Sequence, residues 1–487
     1  MSKIYKSLSY SVSSKYINRA INLASIVLVA RLLTPAELGL YAIAASIYLI
    51  AGELRTFGAS NYLIRERTLD RPVIASALGL SMLIAWSMGL LLLLSAPWIE
   101  DFYAKPDIAP MLQALAISFF LSPHISIGKA LMAREFDFRR LFIIEVTTQA
   151  GLFISIITLI LLQYSYFSLA YGQVIAIVIE LFMVVLFRTR DFTFLPQLGQ
   201  VRKIANFGVV VTAAYLLRKM TDNLTDLIIG KLGTAEQVAF FSRATGFLNF
   251  LTMSIESGIR PVVDPYFSDK ARRNHDLNAA YLRASVLLGA MTVPALAVAG
   301  YASEPVILFF FGPQWTFSAG LVSILCFAFM IRVSYSLSSS LFIIAKLEKF
   351  FLYKEIFGIT ATATSIYVLF PYGLDRVAEG IVGVALGEFL LVALIFIRRL
   401  GMSPADIAAS ILPNLVLAAA CAGWAALLDS LMDFSGMPPV LVVAVLTVTC
   451  AAVWLAIILV TRHPMQEELK LLYGKLRRSR PADDTPR

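Results

Sequence analysis

The stretch that decides the fold is "RLLTPAELGLY", Arg31 to Tyr41, because it returns 200 residues later as "KLGTAEQVAFF", Lys231 to Phe241. Arg31 meets Lys231, Leu32 meets Leu232 and Thr34 meets Thr234; further back Arg19 meets Lys219, and further on Gly58 meets Gly258. Downstream the match resumes at a shift of 208, where "SAPWIEDFY" from Ser95 falls on "SEPVILFFF" from Ser303 and Pro97 on Pro305. Gly172 and Glu180 fall likewise on Gly380 and Glu388, and one longer connection around "DPYFSDKARRNHD" accounts for the change of shift. The chain is therefore read as a duplicated unit.

Hydrophobic residues make up 59% of the 487 and charged residues 15%, where a soluble domain carries about 25% charged. The apolar residues gather in runs of roughly twenty, the length a helix needs to cross a hydrocarbon layer of about 30 Å. About fourteen such runs follow one another, the first near residues 14 to 33 and the last near 439 to 461. The predicted fold is an all-α integral membrane protein of about fourteen transmembrane helices. Two six-helix lobes surround a central cavity, and two further helices follow. Residues 1–200 form the N-lobe with the first six spans, 201–400 the C-lobe with the next six, 401–461 the last two, and 462–487 a basic tail. Because six is even, both copies enter the membrane from the same side, which makes them parallel repeats related by an axis along the membrane normal.

A net charge of +9 would suit nucleic acid in a soluble protein, but in a membrane protein the informative question is which connections hold the Lys and Arg. Alternate connections hold Arg65, Arg67 and Arg71; Arg134, Arg139 and Arg140; Arg188, Arg190, Arg202 and Lys203; Lys270, Arg272 and Arg273. Lys346, Lys349, Arg398, Arg399 and the tail "KLRRSR" continue the pattern. The others offer little beyond Lys105 and Arg376, and "PWIED", "SEP" and "LLDSLMD" are acidic or neutral. Both termini are expected on the cytoplasmic side. Lys3 and Lys6 precede an apolar run without a small-residue cleavage site, and Arg19 and Asn22 interrupt that run, so it reads as a retained first span. Cys326, Cys421 and Cys450 fall in apolar spans without paired spacing and read as packing residues.

A charge at bilayer depth costs at least a few kcal/mol and faces protein or water. In the first span Lys15, Arg19 and Asn22 recur at i, i+4 and i+7; in the seventh Arg218, Asp222 and Thr225 repeat that spacing, with Lys219, Asn223 and Asp226 as the neighbouring stripe. Each set occupies one helix face, so the matched first helices are expected to turn a largely basic face to the central cleft. Further deep charges are Arg243 and Glu256 in the eighth span, Arg332 in the tenth, and the repeat-related Glu180 and Glu388. Arg332 has no acidic residue within a helical turn, so its guanidinium calls for an anionic ligand, a partner from another helix, or water. Plainer readings stand beside these. Glu53, Arg55 and Glu145 lie near span ends, where such side chains snorkel to the interface. Arg218 with Asp222 also forms an i, i+4 pair, and Glu180 and Glu388 would also serve as packing residues. His124, behind Pro123, reads as the neighbour of a helix kink.

There is no G-x-x-x-x-G-K-[ST], no H-E-x-x-H, no C-x-x-C and no D-x-D, and His124, His275 and His463 make no constellation. Nucleotide-driven and metal-dependent chemistry therefore have no motif to rest on. No segment outside the apolar runs is long enough for a catalytic domain, so transport would run on a gradient or on downhill flow of substrate.

With "ARLLTPAELGLYA", the nearby "FGASNYLIRE" and the fourteen-span layout in view, the chain resembles polysaccharide-repeat-unit flippases of the Wzx type. They belong to the multidrug/oligosaccharidyl-lipid/polysaccharide exporter superfamily, and the resemblance covers nearly the full length. It implies two helix bundles in a V, and alternating access that carries an undecaprenyl-pyrophosphate-linked oligosaccharide from the cytoplasmic to the outer leaflet of the bacterial inner membrane. The product served would be O-antigen, capsule or exopolysaccharide. By position, the resemblance implies Arg19, Arg218, Lys219, Arg243 and Arg332, together with Lys15 and Arg55, as the basic residues that hold the pyrophosphate. Asp222 and Asp226, with Glu180 and Glu388, are the implied ion-coupling residues, the ion being H+ or Na+. No cofactor, metal, catalytic residue or nucleic-acid partner is implied; the bilayer, and polysaccharide polymerase or export machinery, are the implied partners. Spans thirteen and fourteen would help form a groove for the polyprenyl tail, as in lipid II flippases.

The multidrug exporters of the same superfamily are the near rival, but a drug-cation cavity should be acidic and aromatic where the candidate faces here are net basic. A polysaccharide polymerase or ligase would fit the composition but usually carries a long outer loop. A scaffold without transport would not need deep charges in both lobes.

Overall fold

A computed structural model describes residues 2–55, 62–64, 66, 69–199, 201, 209–273, 275–461, 463–468 and 470. Among them every long element is helical. The first six helices are α1 (Ser2–Leu32), α2 (Pro35–Arg55), α3 (Arg71–Tyr103), α4 (Ile108–Arg134), α5 (Phe138–Leu161) and α6 (Phe167–Leu186). There follow α7 (Val209–Leu232), α8 (Ala235–Arg272), α9 (Leu277–Tyr301), α10 (Ser303–Phe311), α11 (Thr316–Tyr335) and α12 (Ser338–Ile344). The last four are α13 (Glu348–Leu369), α14 (Leu374–Leu400), α15 (Pro404–Met432) and α16 (Pro439–Val460).

The duplication is visible in these boundaries. α1 ends at Leu32 and α7 at Leu232, while α4 begins at Ile108 and α11 at Thr316, the two shifts read from the sequence. At the quoted stretch both copies start their second helix with the same device. The Thr34 backbone N–H donates to Glu37 Oε2 at 2.7 Å and the Glu37 N–H returns a bond to Thr34 Oγ1 at 3.4 Å. In the second copy Thr234 N–H donates to Gln237 Oε1 at 2.9 Å and Gln237 N–H to Thr234 Oγ1 at 3.2 Å. These are reciprocal capping boxes: each satisfies two backbone donors that a helix start leaves open.

The copies also differ. "PWIED", expected in a connection, lies inside α3, which continues through Pro97. Its counterpart is cut at Ala302 into α9 and the short α10. The tenth span is broken in the same manner: α11 stops at Tyr335 and α12 starts at Ser338. Arg260 of α8 donates to the Ser336 carbonyl oxygen at 3.0 Å and to Glu256 Oε2 at 3.1 Å, satisfying a carbonyl that the break leaves without a helical donor.

Eleven helices among the described residues are long and apolar enough to cross a membrane, from Pro35–Leu54 to Pro439–Val460. α1, α7 and α13 have the length, with 31, 24 and 22 residues, but their charged and polar residues keep them below that apolar content. They are the first, seventh and eleventh of the expected fourteen. Large side chains such as Leu91, Phe182, Leu412, Val448 and Val460 are exposed, as a lipid-facing surface requires and a water-facing one would not tolerate in bulk.

The chain divides into two compact units, Met1–Ser242 with Ile359–Phe370, and Arg243–Gly358 with Pro371–Arg487. In the first, α3 packs on α4, α4 on α6, α5 on α6 and on α1, and α2 on α4 and α7. Its core holds Ile74, Leu78, Ile127 and Leu131 in one group and Ile125, Met132, Ile144 and Val184 in another. The start of α8 closes on the start of α2, where a side chain at Gly39 would meet the Ala235 carbonyl oxygen at 1.7 Å. Lys105 Nζ donates to the Gly233 carbonyl oxygen at 2.8 Å, and Lys231 Nζ to that of Phe102. Burial and the nearby Lys231 ammonium lower the Lys105 pKa. On the same rim Tyr166 donates to Asp107 Oδ2 at 2.6 Å, and burial together with that carboxylate pushes its phenol up to about 12.

In the second unit α9 packs on α11 and α11 on α14, the counterparts of the α3–α4 and α4–α6 pairs. The additional α15 runs along α9, and α16 packs on α10 and α15. Trp454 of α16 donates to the Ala290 carbonyl oxygen at 2.7 Å, and Cys421 and Cys450 pack against each other's backbone at 3.8 and 3.7 Å. After α16, His463 is buried, its Nδ1 accepting the Met465 N–H at 3.1 Å; Arg283 meets Glu467 at 2.9 Å and Glu468 at 3.1 Å. Burial lowers the His463 pKa.

Candidate functional site

In α1, Lys15 and Asn22 are exposed and Arg19 is half-buried. The face that packs on α5 is the neighbouring one: Ser14 donates to Glu145 Oε2 at 2.6 Å, and Asn18 donates to Ser14 at 3.2 Å. The basic stripe is thus left on the less covered side. Glu145, near a span end, accepts from Ser14 and lies 4.0 Å from Lys129, its side chain still 39% exposed. The Arg55 side chain, Gly58 and most of "FGASNYLIRE" lie outside the described residues, as do Arg65, Arg67, Arg202, Lys203 and the "KLRRSR" tail.

In α7 the two stripes face different surroundings. Arg218 and Lys219 are half-buried and Asp222 is exposed, whereas Asn223 and Thr225 are buried. Asp226 accepts hydrogen bonds from Ser46 of α2, at 3.1 Å, and from Ser242 of α8. The four charges of "LLRKMTDNLTDLII" therefore do not form one lining. Asp226 sits in a pair of hydroxyls and Asp222 stays open.

Arg243 lies against two aromatic rings, its guanidinium carbon 4.9 Å from the centre of the Phe311 ring and 4.8 Å from that of the Trp315 ring. Its Nε has no hydrogen-bond partner among the described residues. Contact of this kind stabilises the cation through ring quadrupoles, and it fixes Arg243 at the α10–α11 junction.

The repeat-related glutamates each anchor an ion pair. Glu180 Oε1 accepts from Lys129 Nζ at 2.9 Å. Glu388 stands in a larger group: Tyr335 OH donates to its Oε2 at 2.6 Å, Lys354 Nζ lies 3.6 Å from its Oε1, and Arg332 Nε lies 4.0 Å from its Oε2. Lys354 also donates to Glu355 Oε1 at 2.9 Å. Of the three ways to satisfy Arg332 that the sequence left open, the structure supplies a partner from another helix. Lys129, Lys354, Glu355 and Tyr335 are not among the residues the sequence singles out, because Lys129, Lys354 and Tyr335 meet their glutamates across helices far apart in the chain. The adjacent "KE" near the start of the eleventh span was the available signal.

The family described as polysaccharide biosynthesis protein matches residues 28–320. The lipopolysaccharide biosynthesis protein WzxC of Escherichia coli (strain K12) is 22% identical over 81% of this chain and 79% of that protein. The succinoglycan biosynthesis transport protein ExoT of Rhizobium meliloti (strain 1021) is 20% identical over 66% of this chain and 65% of its own length. Among solved structures, the lipid II flippase MurJ in an inward closed conformation superposes with a TM-score of 0.74 over 92% of this chain and 98% of that one, at 14% identity. That last likeness establishes the fold.

Proposed function

Because the chain belongs to the polysaccharide biosynthesis protein family, we propose that it is a flippase, a transporter with no reaction of its own, that moves lipid-pyrophosphate-linked oligosaccharides from the cytoplasmic to the outer leaflet. The observation that carries this reading is that basic side chains, Arg19, Arg218, Lys219 and Arg332, none fully exposed, stand within helices of membrane-spanning length. A diphosphate drawn into a low-dielectric region needs matching positive charge, and guanidinium forks match phosphate oxygens two at a time. The membrane is the bacterial inner membrane and both termini face the cytoplasm, a placement supported by Arg134, Arg139, Arg140, Arg188, Arg190, Arg398 and Arg399 in alternate connections. Cation coupling is part of the proposal, with Asp222 as its open carboxylate and H+ or Na+ as the ion. Polymerase or export machinery would take the product on the far side.

The test is transfer of a fluorescent lipid-pyrophosphate oligosaccharide across vesicles reconstituted with the full chain, with and without H+ or Na+ gradients. Transfer by the native chain that collapses in Arg332→Ala and Arg218→Ala, while both remain folded, supports the flippase. No transfer with any such lipid, together with efflux of cationic dyes, replaces it with a drug exporter.

A further inference from the structure

The group around Glu388 has an internal order. Two carboxylates, Glu355 and Glu388, and one ammonium, Lys354, are almost wholly buried, at 2%, 5% and 10% side-chain exposure. Arg332 completes charge balance, yet its side chain is 32% exposed and its Nε stands at 4.0 Å, the longest of the three approaches to Glu388. Tyr335 at 2.6 Å and Lys354 at 3.6 Å hold Glu388 whether or not Arg332 stays. The guanidinium can turn away from Glu388 without leaving that buried carboxylate bare, the outcome that makes broken buried pairs so costly.

From this we infer that Glu388 is the resident counter-anion of Arg332: it neutralises the guanidinium when no cargo is bound and is displaced from it by the cargo's phosphate oxygens. The inference rests on the reading of Arg332 as part of the anion path. A diphosphate carries more charge and more acceptor oxygens than one carboxylate, and a fork of N–H donors matches its oxygens two at a time, closer than the 4.0 Å approach to Glu388. Glu388 also makes the unloaded carrier less costly to turn over, because Arg332 never passes through an apolar segment uncompensated. Its repeat equivalent Glu180 meets Lys129, with Glu145 beside it and no arginine in the pair. The exchange therefore belongs to the second copy alone. Glu388 is a positioning residue here, acting on cargo through Arg332.

The experiment is calorimetric titration of the full chain in lipid nanodiscs with inorganic pyrophosphate, for native protein, Glu388→Gln, Arg332→Gln and the double variant. Removal of the competitor is expected to tighten pyrophosphate binding by roughly threefold to tenfold, a gain that vanishes when Arg332 is also replaced. In transfer assays the same Glu388→Gln protein should show a lower KM and a lower kcat, since cargo is held better and the empty carrier returns more slowly. Tyr335→Phe, which strips Glu388 of a donor and leaves it a stronger rival, should shift affinity the opposite way and tests the idea even if Glu388→Gln fails to fold. Weaker binding in Glu388→Gln, a gain that persists without Arg332, or no pyrophosphate binding by native protein overturns the inference. Native protein that transfers lipid-linked oligosaccharide while Glu388→Gln leaves affinity unchanged sinks this inference and spares the flippase. The competition seen with pyrophosphate, but no lipid transfer, does the reverse.

Discussion

Gly39→Ala and Gly52→Ala add the same methyl group to the same helix, α2, and should change stability in opposite directions. In a helix interior alanine is favoured over glycine by about 1 kcal/mol. At Gly52 nothing among the described residues lies within 4 Å of the added atom, so that preference should appear nearly in full and raise the unfolding midpoint. At Gly39 the added carbon would lie 1.7 Å from the Ala235 carbonyl oxygen and 2.4 Å from its carbon, whereas an ordinary carbon–oxygen contact is about 3.3 Å or longer. The overlap is about 1.6 Å, and because the obstacle is backbone at the start of α8, no rotamer change relieves it. Overpacking of this kind costs about 1–3 kcal/mol and sometimes more, which exceeds the propensity gain. The Lys105–Gly233 and Lys231–Phe102 bonds, anchored on the same turn, would stretch as it is pushed away. The assay is thermal unfolding of the two full-length variants in one detergent at one scan rate, followed by lipid transfer. Equal rises in midpoint for both would refute the close approach of α2 to α8, and with it the packing of the quoted motif against its own repeat.

Arg243→Lys keeps the charge but loses the guanidinium's contact with Phe311 and Trp315; a stability loss of about 1 kcal/mol or more is expected, read from the unfolding midpoint, and an unchanged midpoint would dismiss the contribution of those rings. Ser46→Ala removes one of the hydroxyl donors to Asp226 and should destabilise by about 1 kcal/mol, whereas Ser46→Ala in an Asp226→Asn background should cost less; equal losses in a double-mutant cycle would deny the pairing. His463 gives a pH dependence of definite sign. Its folded value lies below its ordinary 6.5 because the imidazole is buried, so the unfolded segment binds more protons, and stability present above that value is lost as pH falls through the range beneath it. The hydrogen-exchange protection factors of residues 463–468, corrected for the intrinsic rate at each pH, should fall on acidification in native protein and not in His463→Gln; equal acid response in both would remove His463 as the cause.

The sequence carried the overall plan because membrane helices announce themselves by length and apolarity, and because two copies of one unit align with each other. The shift of 200 was legible in "RLLTPAELGLY" and "KLGTAEQVAFF", and the structure adds why those residues persist: Thr34 with Glu37, and Thr234 with Gln237, are start signals for α2 and α8. Helix ends were less legible. "PWIED" looked like a connection because three charged or indole-bearing residues follow a proline, yet α3 runs through it. The candidate site was legible only as a set of charges. Residue spacing places Asp222 and Asp226 one helical turn apart, but whether each meets a hydroxyl or open space depends on α2 and α8, which lie far off in sequence. In the same way Arg332 and Glu388 are 56 positions apart, and only the packing of α11 on α14 makes them partners.

The two glutamates that descend from one position have parted company in what accompanies them. Glu180 draws its lysine from α4 and Glu388 from α13, and at the shift of 208 the counterparts of Lys354 and Arg332 are Val146 and His124. A chimera carrying two first halves would therefore keep both acids and lose the guanidinium, while one carrying two second halves would hold twice the buried charge with no Lys129 in either. Neither half can stand in for the other. Whatever symmetry the founding duplication gave this molecule, its charged interior has since become handed, and a drug or antibody fragment directed at the Glu388 group would find a single target per chain.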